Sequence, residues 1–155
     1  MSHADDKLSQ YMRSGDPNLK DYYPPWLKDI ADDATVEGSM LDGVVVGAEG
    51  VRSVVLKIKS LYDRQEFLSV GPYGDHGWIE DYVAEFRGRP LGCVVLVKFN
   101  EAGQTQHVEA SYRPRTSVVH FANLLADEFA GTPIAEHFRS AASRGSVALF
   151  DRRAS

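Results

Sequence analysis

Leu91 to Phe99 reads LGCVVLVKF and Thr105 to Arg113 reads TQHVEASYR, with Asn100-Glu101-Ala102-Gly103 between them. Two runs rich in β-branched and aromatic residues around a short Gly-containing break predict a β-hairpin. Along a strand, alternate side chains share a face. One face then carries Cys93, Val95, Val97 and Phe99, followed by Val108, Ala110 and Tyr112. Residues 78–87 read as a preceding strand and add Tyr82, Ala84 and Phe86 to that face. The result is a curved apolar wall that needs helices to cover it.

Residues 47–62 supply the clearest of them. Val51, Val54, Val55, Ile58, Leu61 and Tyr62 fall on one side of a helix. Glu49 lies near its start and Lys57 and Lys59 near its end, as the helix dipole favours. Pro24-Pro25 can open a short helix with Trp26, Leu27, Ile30 and Ala31 as its stripe, ended by Asp32-Asp33. Residues 34–40 read as a strand that carries Met40, Leu41-Asp42-Gly43 as a turn, and Val44-Val45-Val46 as a short strand. Residues 65–70 are a further strand, and residues 71–77 are loop chemistry. Thr116 or Ser117 can cap a helix bearing Val118, Phe121, Leu124, Leu125 and Phe129, and Thr132-Pro133 starts another with Ile134 and Phe138. Strands in a run with helices gathered on one side argue an α+β fold. Residues 1–21 read as an N-terminal arm, 22–139 as the folded domain and 140–155 as a tail.

The chain has 155 residues, 43% hydrophobic and 25% charged, which suits one globular domain. Net charge is -5 and no Lys/Arg stripe forms, so neither nucleic acid nor an anionic membrane is an expected partner. The polar N-terminus has no apolar signal core, and no apolar run approaches the ~20 residues that span a bilayer. A cytoplasmic protein is expected. Cys93 is the lone cysteine, set in an apolar strand, and reads as a small core residue rather than a nucleophile.

Residues 31–38 (ADDATVEG), residues 47–52 (GAEGVR) opening a helix, residues 86–103 (FRGRPLGCVVLVKFNEAG) and Tyr112-Arg113-Pro114 together resemble the nuclear transport factor 2-like superfamily. Within it they are similar to the SnoaL-like and ketosteroid isomerase-related proteins, over roughly residues 26–129. The resemblance implies a cystatin-like, cone-shaped α+β barrel. Its strongly curved sheet is mixed, mostly antiparallel, and wraps N-terminal helices around a pocket. It also implies a homodimer through the outer sheet face, where Val94 and Leu96 would need cover. Ketosteroid isomerisation uses an Asp base, with a Tyr and a protonated Asp as oxyanion donors. The base falls here on Gly38 and the oxyanion Asp on Val95. The tyrosine falls near Ser14, with Tyr11 as a stand-in. Two of the three roles are missing, so that mechanism is not expected.

Polar groups remain on the inward parity. Glu80 and Tyr82 are the candidate proton-transfer pair, since a carboxyl against aromatic rings can have a raised pKa. Tyr62 and Tyr112 would orient a ligand held by Trp26, Met40, Val55, Ile58, Phe86, Cys93, Val95, Val97 and Val108. The alternative is tyrosines that fill core volume and a solvated Glu80. His107 and Glu109 share the opposite face, as a metal or proton-transfer pair or, more simply, an exposed or interfacial pair. Asp75-His76 can rim a pocket mouth or belong to a plain surface loop. His120 and His137 lack the HExxH spacing, and Arg113 can meet a ligand carboxylate or a surface acid. No nucleotide, haem, flavin or metal motif occurs, so no cofactor is expected. Three functions stay open: a small cofactor-free isomerase, cyclase, dehydratase or hydrolase acting on a small, mostly apolar molecule; a non-catalytic binding or dimerisation module; or an interaction protein using its arm.

Overall fold

The computed structural model describes residues 22–138. The expected arm and tail lie outside the described residues. Six strands form one curved sheet: β1 (Ile30–Gly38), β2 (Val45–Val46), β3 (Arg64–Pro72), β4 (Gly77–Phe86), β5 (Arg89–Phe99) and β6 (Thr105–Arg113). Their order is β2-β1-β6-β5-β4-β3, with β1 and β6 parallel and every other pair antiparallel. Besides helices α1 (Ala48–Ser60) and α2 (Arg115–Glu128), 3-10 turns stand at Pro25–Leu27, before β1, and at Pro133–Phe138, after α2. This is the expected α+β architecture: a mixed, mostly antiparallel curved sheet, with helices against it.

Two turns set the register of the β4–β5–β6 meander. Arg87 (φ 48°) and Gly88 (φ 76°) are both left-handed, so Phe86 pairs with Arg89 across a two-residue hairpin. In the next turn Asn100 Oδ1 accepts from the Ala102 and Gln104 N–H groups at 3.0 Å each. Phe99 then pairs with Thr105 past a bulge. The strand pattern buries Tyr82, Ala84 and Phe86 on β4, Cys93, Val95 and Val97 on β5, and Val108 and Ala110 on β6. Val51, Val54 and Ile58 of α1 are buried on the same core, as are Phe121 and Leu125 of α2. Phe121 meets Phe86 edge-on with ring centroids 4.5 Å apart. That aromatic pair closes one end of the core.

Two local expectations are corrected. Ile30 and Ala31 do not continue a helix from Pro24: only Pro25–Leu27 is helical, and Ile30 opens β1, with Asp32 and Asp33 inside the strand. Register slips between Ile30 and Thr35 against β6. Trp26 and Leu27 are buried in the turn and Ile30 and Ala31 are both buried at the start of the strand, so four core residues from two elements keep a spacing that imitates one helix. The second correction is at α2, which starts at Arg115, earlier than Thr116 or Ser117 would cap it. Pro114 is its N-cap residue and no side chain caps it; Ser117 is buried inside the first turn.

Candidate functional site

Three rows of inward side chains cross the sheet. Tyr82, Cys93 and Tyr112 are register partners in one; Trp78, Val97, Val108 and Val36 form another. Between them runs the row Glu80, Val95, Ala110, Gly38. This middle row ends in the two smallest side chains, so the surface sinks there. Gly38 cannot be larger: a Cβ on it would overlap the Ala110 carbonyl oxygen. The chain thereby leaves a cavity of about 50 Å³, space for a few waters at ~10–15 Å³ each. Its walls include Val36, Val54, Val55, Ile58, Met40 and Val108.

Glu80 is the buried acid of this cavity, a residue only 2% exposed; Glu37, partly buried, also borders it. Trp26 Nε1 donates to one oxygen at 2.9 Å and the Tyr22 hydroxyl to the other at 3.3 Å. Burial raises its pKa from 4.5 to about 7, against the hydrogen bonds from Trp26 and Tyr22, the nearby Trp78 indole and the charge of Lys59, which favour ionisation. Trp26 is held in turn by Thr105, whose hydroxyl donates to the Trp26 carbonyl at 2.5 Å. The resemblance put the isomerase carboxylates at Gly38 and Val95. Both stand in the Glu80 row, so the acid of that row comes from β4 instead.

Two residues along β4, on the same face, the Tyr82 hydroxyl lies 2.7 Å from that of Tyr62, just past the end of α1. Tyr112 and the Cys93 thiol lie close enough to these two phenols to act on them electrostatically. Burial raises all three phenols well above their ordinary pKa, with the neighbouring Cys93 adding to it. They therefore stay protonated, as hydrogen-bond donors. Burial likewise pushes the Cys93 thiol up to about 12, leaving it inert at neutral pH.

The structure brings Glu80, Tyr82, Tyr62, Tyr112, Trp26, Met40, Val55, Ile58, Val95 and Val108 to the cavity wall. Phe86, Cys93 and Val97 are buried beside it and do not line it. Asp75 and His76 are exposed and also do not border it. His107 pairs less with Glu109 than with β1: its Nδ1 is 2.6 Å from Thr35 Oγ1 and its Nε2 3.5 Å from Glu37. Glu37, His107 and Glu109 form a cluster on the outer face, with ligand-capable atoms within 4.8 Å of one another. Arg113 meets a surface acid, Asp81, at 3.6 Å. Tyr22, Lys59, Gln65 and Phe67 also line the cavity. The first three escape sequence reading because a lone polar residue at an inward position has no periodic signature; Phe67 is visible as the inward partner of Tyr82 in the β3 run.

No protein-family model matches the chain, and a search of curated proteins finds no relative. Solved structures do match. A steroid delta-isomerase from Pseudomonas aeruginosa is similar at 13% identity and TM-score 0.64, over 82% of this chain and 89% of that one. An uncharacterised protein with a cystatin-like fold from Silicibacter pomeroyi is similar at 15% identity and TM-score 0.65, over 84% and 88%. A de novo designed protein with a curved β-sheet is similar at 20% identity and TM-score 0.54, over 80% and 99%. An NTF-2 like protein from Burkholderia xenovorans matches at 16% identity and TM-score 0.50, over 73% and 88%. Order of elements, the curved mixed sheet and these likenesses agree that the chain has the cystatin-like fold of the nuclear transport factor 2-like proteins.

Proposed function

We propose that this chain is a cofactor-free enzyme that moves a proton on a small, mostly apolar carbonyl compound, with Glu80 as its acid–base group. The observation that carries this reading is Glu80, 2% exposed in an apolar cavity and held by Trp26 and Tyr22, where burial raises its pKa to about 7. Near neutral pH such a group is divided between acid and base, which is where proton transfer is fastest. The ionised Glu80 takes a proton from the carbon next to the carbonyl, and the electron pair moves onto the carbonyl oxygen. A phenol of Tyr82, Tyr62 or Tyr112 donates a hydrogen bond to that oxygen. Protonated Glu80 then returns the proton to the same or a neighbouring carbon. Isomerisation, cyclisation and dehydration all begin this way.

A non-catalytic binding module is the second reading. It is favoured by the two donors, Tyr22 and Trp26, that already occupy the Glu80 oxygens. A homodimer through the outer sheet face accompanies either reading: Val94 and Leu96 are only partly buried there and Leu68 is 51% exposed. Hydrogen–deuterium exchange at the α-carbon of cyclohexanone in D2O, followed by NMR, separates the two. The enzyme reading expects exchange above the buffer rate, rising with an apparent pKa of about 7 and abolished in Glu80→Gln. Ketone binding with exchange no faster than buffer overturns it in favour of the binding module.

A further inference from the structure

We propose that Glu37, His107 and Glu109 bind a divalent transition-metal ion, with zinc as the best fit, that clasps β1 to β6. Parallel pairing sets Thr35 opposite His107, Val36 opposite Val108 and Glu37 opposite Glu109. Val36 and Val108 are buried in the core, so by alternation the other four side chains stand on the outer face. Glu37 and Glu109 are then two carboxylates side by side, an arrangement that weakens the pairing unless a cation joins it. Among the described residues no Lys or Arg pairs with either acid. That includes Lys98 of β5, the register partner of His107. What meets them is an imidazole: His107 Nε2 lies 3.5 Å from Glu37 Oε1. One ligand-capable atom from each of Glu37, His107 and Glu109 lies within 4.8 Å of the others.

The spacing and the support of the imidazole both suit a metal. Two ligands each about 2.1 Å from a tetrahedral zinc stand about 3.4 Å apart, close to the 3.5 Å between Nε2 and Glu37. Glu109, the most exposed of the three, can turn its side chain to complete the set. His107 Nδ1 lies 2.6 Å from Thr35 Oγ1. When Thr35 accepts from Nδ1–H, the Nε2 lone pair is turned toward Glu37. Metal-ligating histidines are oriented by such a bond on the other ring nitrogen. Both strands have a neighbour on either side in the sheet, which steadies the backbone beneath the ligands. An imidazole with two carboxylates suits zinc or a neighbouring transition ion, whereas magnesium and calcium take oxygen ligands. Three protein ligands leave a fourth position to water. The ion would join segments 72 residues apart and stabilise the folded chain by closing that long loop. This inference is independent of the reading of Glu80.

The test titrates Zn2+ by calorimetry into the full chain, first stripped of metal with a chelator. Wild type is compared with His107→Ala, Glu109→Gln and Thr35→Val, and with His76→Ala in the exposed 71–77 loop as a control. Wild type and control should bind one ion alike and melt at a higher temperature with it. His107→Ala and Glu109→Gln should bind at least about 100-fold more weakly, and Thr35→Val about 10–100-fold, the usual range for a residue that orients a ligand. Metal-free Glu109→Gln should melt no lower than metal-free wild type, since it relieves the paired acids, so its lost binding cannot come from misfolding. In 15N-labelled protein the His107 Nε2 signal should move with Zn2+ while Nδ1 keeps its proton. No binding by wild type overturns the inference. Binding unchanged in His107→Ala also overturns it, because the ion would then lie elsewhere on the chain. Mg2+ displacing Zn2+ at equal concentration does so too, since the acids alone would then be the site.

Discussion

Replacing Glu80 by Gln removes a titration and leaves the shape of the side chain. In the folded chain, burial lifts the carboxyl from 4.5 to about 7; unfolding returns it to its ordinary value. Between those pH values the folded protein holds a proton that the unfolded chain has released. The group's contribution is therefore fully present below the lower value and is lost as pH rises to the upper one. At about 1.4 kcal/mol per pH unit, the window from 4.5 to about 7 removes about 3 kcal/mol of wild-type stability. Gln carries no such proton, so the stability of Glu80→Gln relative to wild type should grow by that amount across the window and then stay level. All other groups titrate alike in the two proteins and cancel. Urea unfolding followed by the fluorescence of Trp26 and Trp78, from about pH 4 to about pH 8, reads the difference directly. A difference that is flat with pH, or that shrinks as pH rises, would refute a buried, proton-holding Glu80.

Three further outcomes follow from the packing. Gly38→Ala drives a Cβ onto the Ala110 carbonyl oxygen; the parallel β1–β6 pairing must part, and denaturant unfolding should show a loss of more than about 2 kcal/mol. Phe121→Ala removes a fully buried ring that touches Phe86 and Tyr62, at a cost of about 3–5 kcal/mol in the same assay. Cys93, with no exposed surface and a thiol pushed up to about 12, should resist Ellman's reagent at pH 8 in the folded protein and react once in urea; prompt reaction of the native protein would contradict its placement.

Much of the sheet could be read from local pattern because its strands alternate cleanly. LGCVVLVKF and TQHVEASYR state their inward residues, and the Gly-containing turns state their register. Helix α1 was equally plain, since its apolar residues keep to one side. The entry into β1 was not readable. Trp26, Leu27, Ile30 and Ala31 have helical spacing, but the first two belong to the 3-10 turn and the last two open the strand, a division that spacing alone does not mark. The site was half visible. Glu80 and Tyr82 follow from parity on β4. The donors that hold Glu80 come from Tyr22 and Trp26, 58 and 54 residues away, and no local period encodes such a contact. His107 shows the same limit: it was matched to Glu109 on its own strand, whereas Thr35 and Glu37 reach it from the neighbouring one. Among the described residues no helix is long and apolar enough to cross a membrane.

The parallel pairing of β1 with β6 has a temporal side. During synthesis the ribosome delivers Ile30–Gly38 early and its neighbour Thr105–Arg113 late. At about 5–20 residues per second, β1 waits roughly 4–15 s with that edge unmatched. The strands β3 to β6 have no such delay, since each meets its antiparallel neighbour as soon as it is made. The nascent chain is thus most open to sticking to other chains in the interval before β6 emerges, and that is when a chaperone has most to offer it.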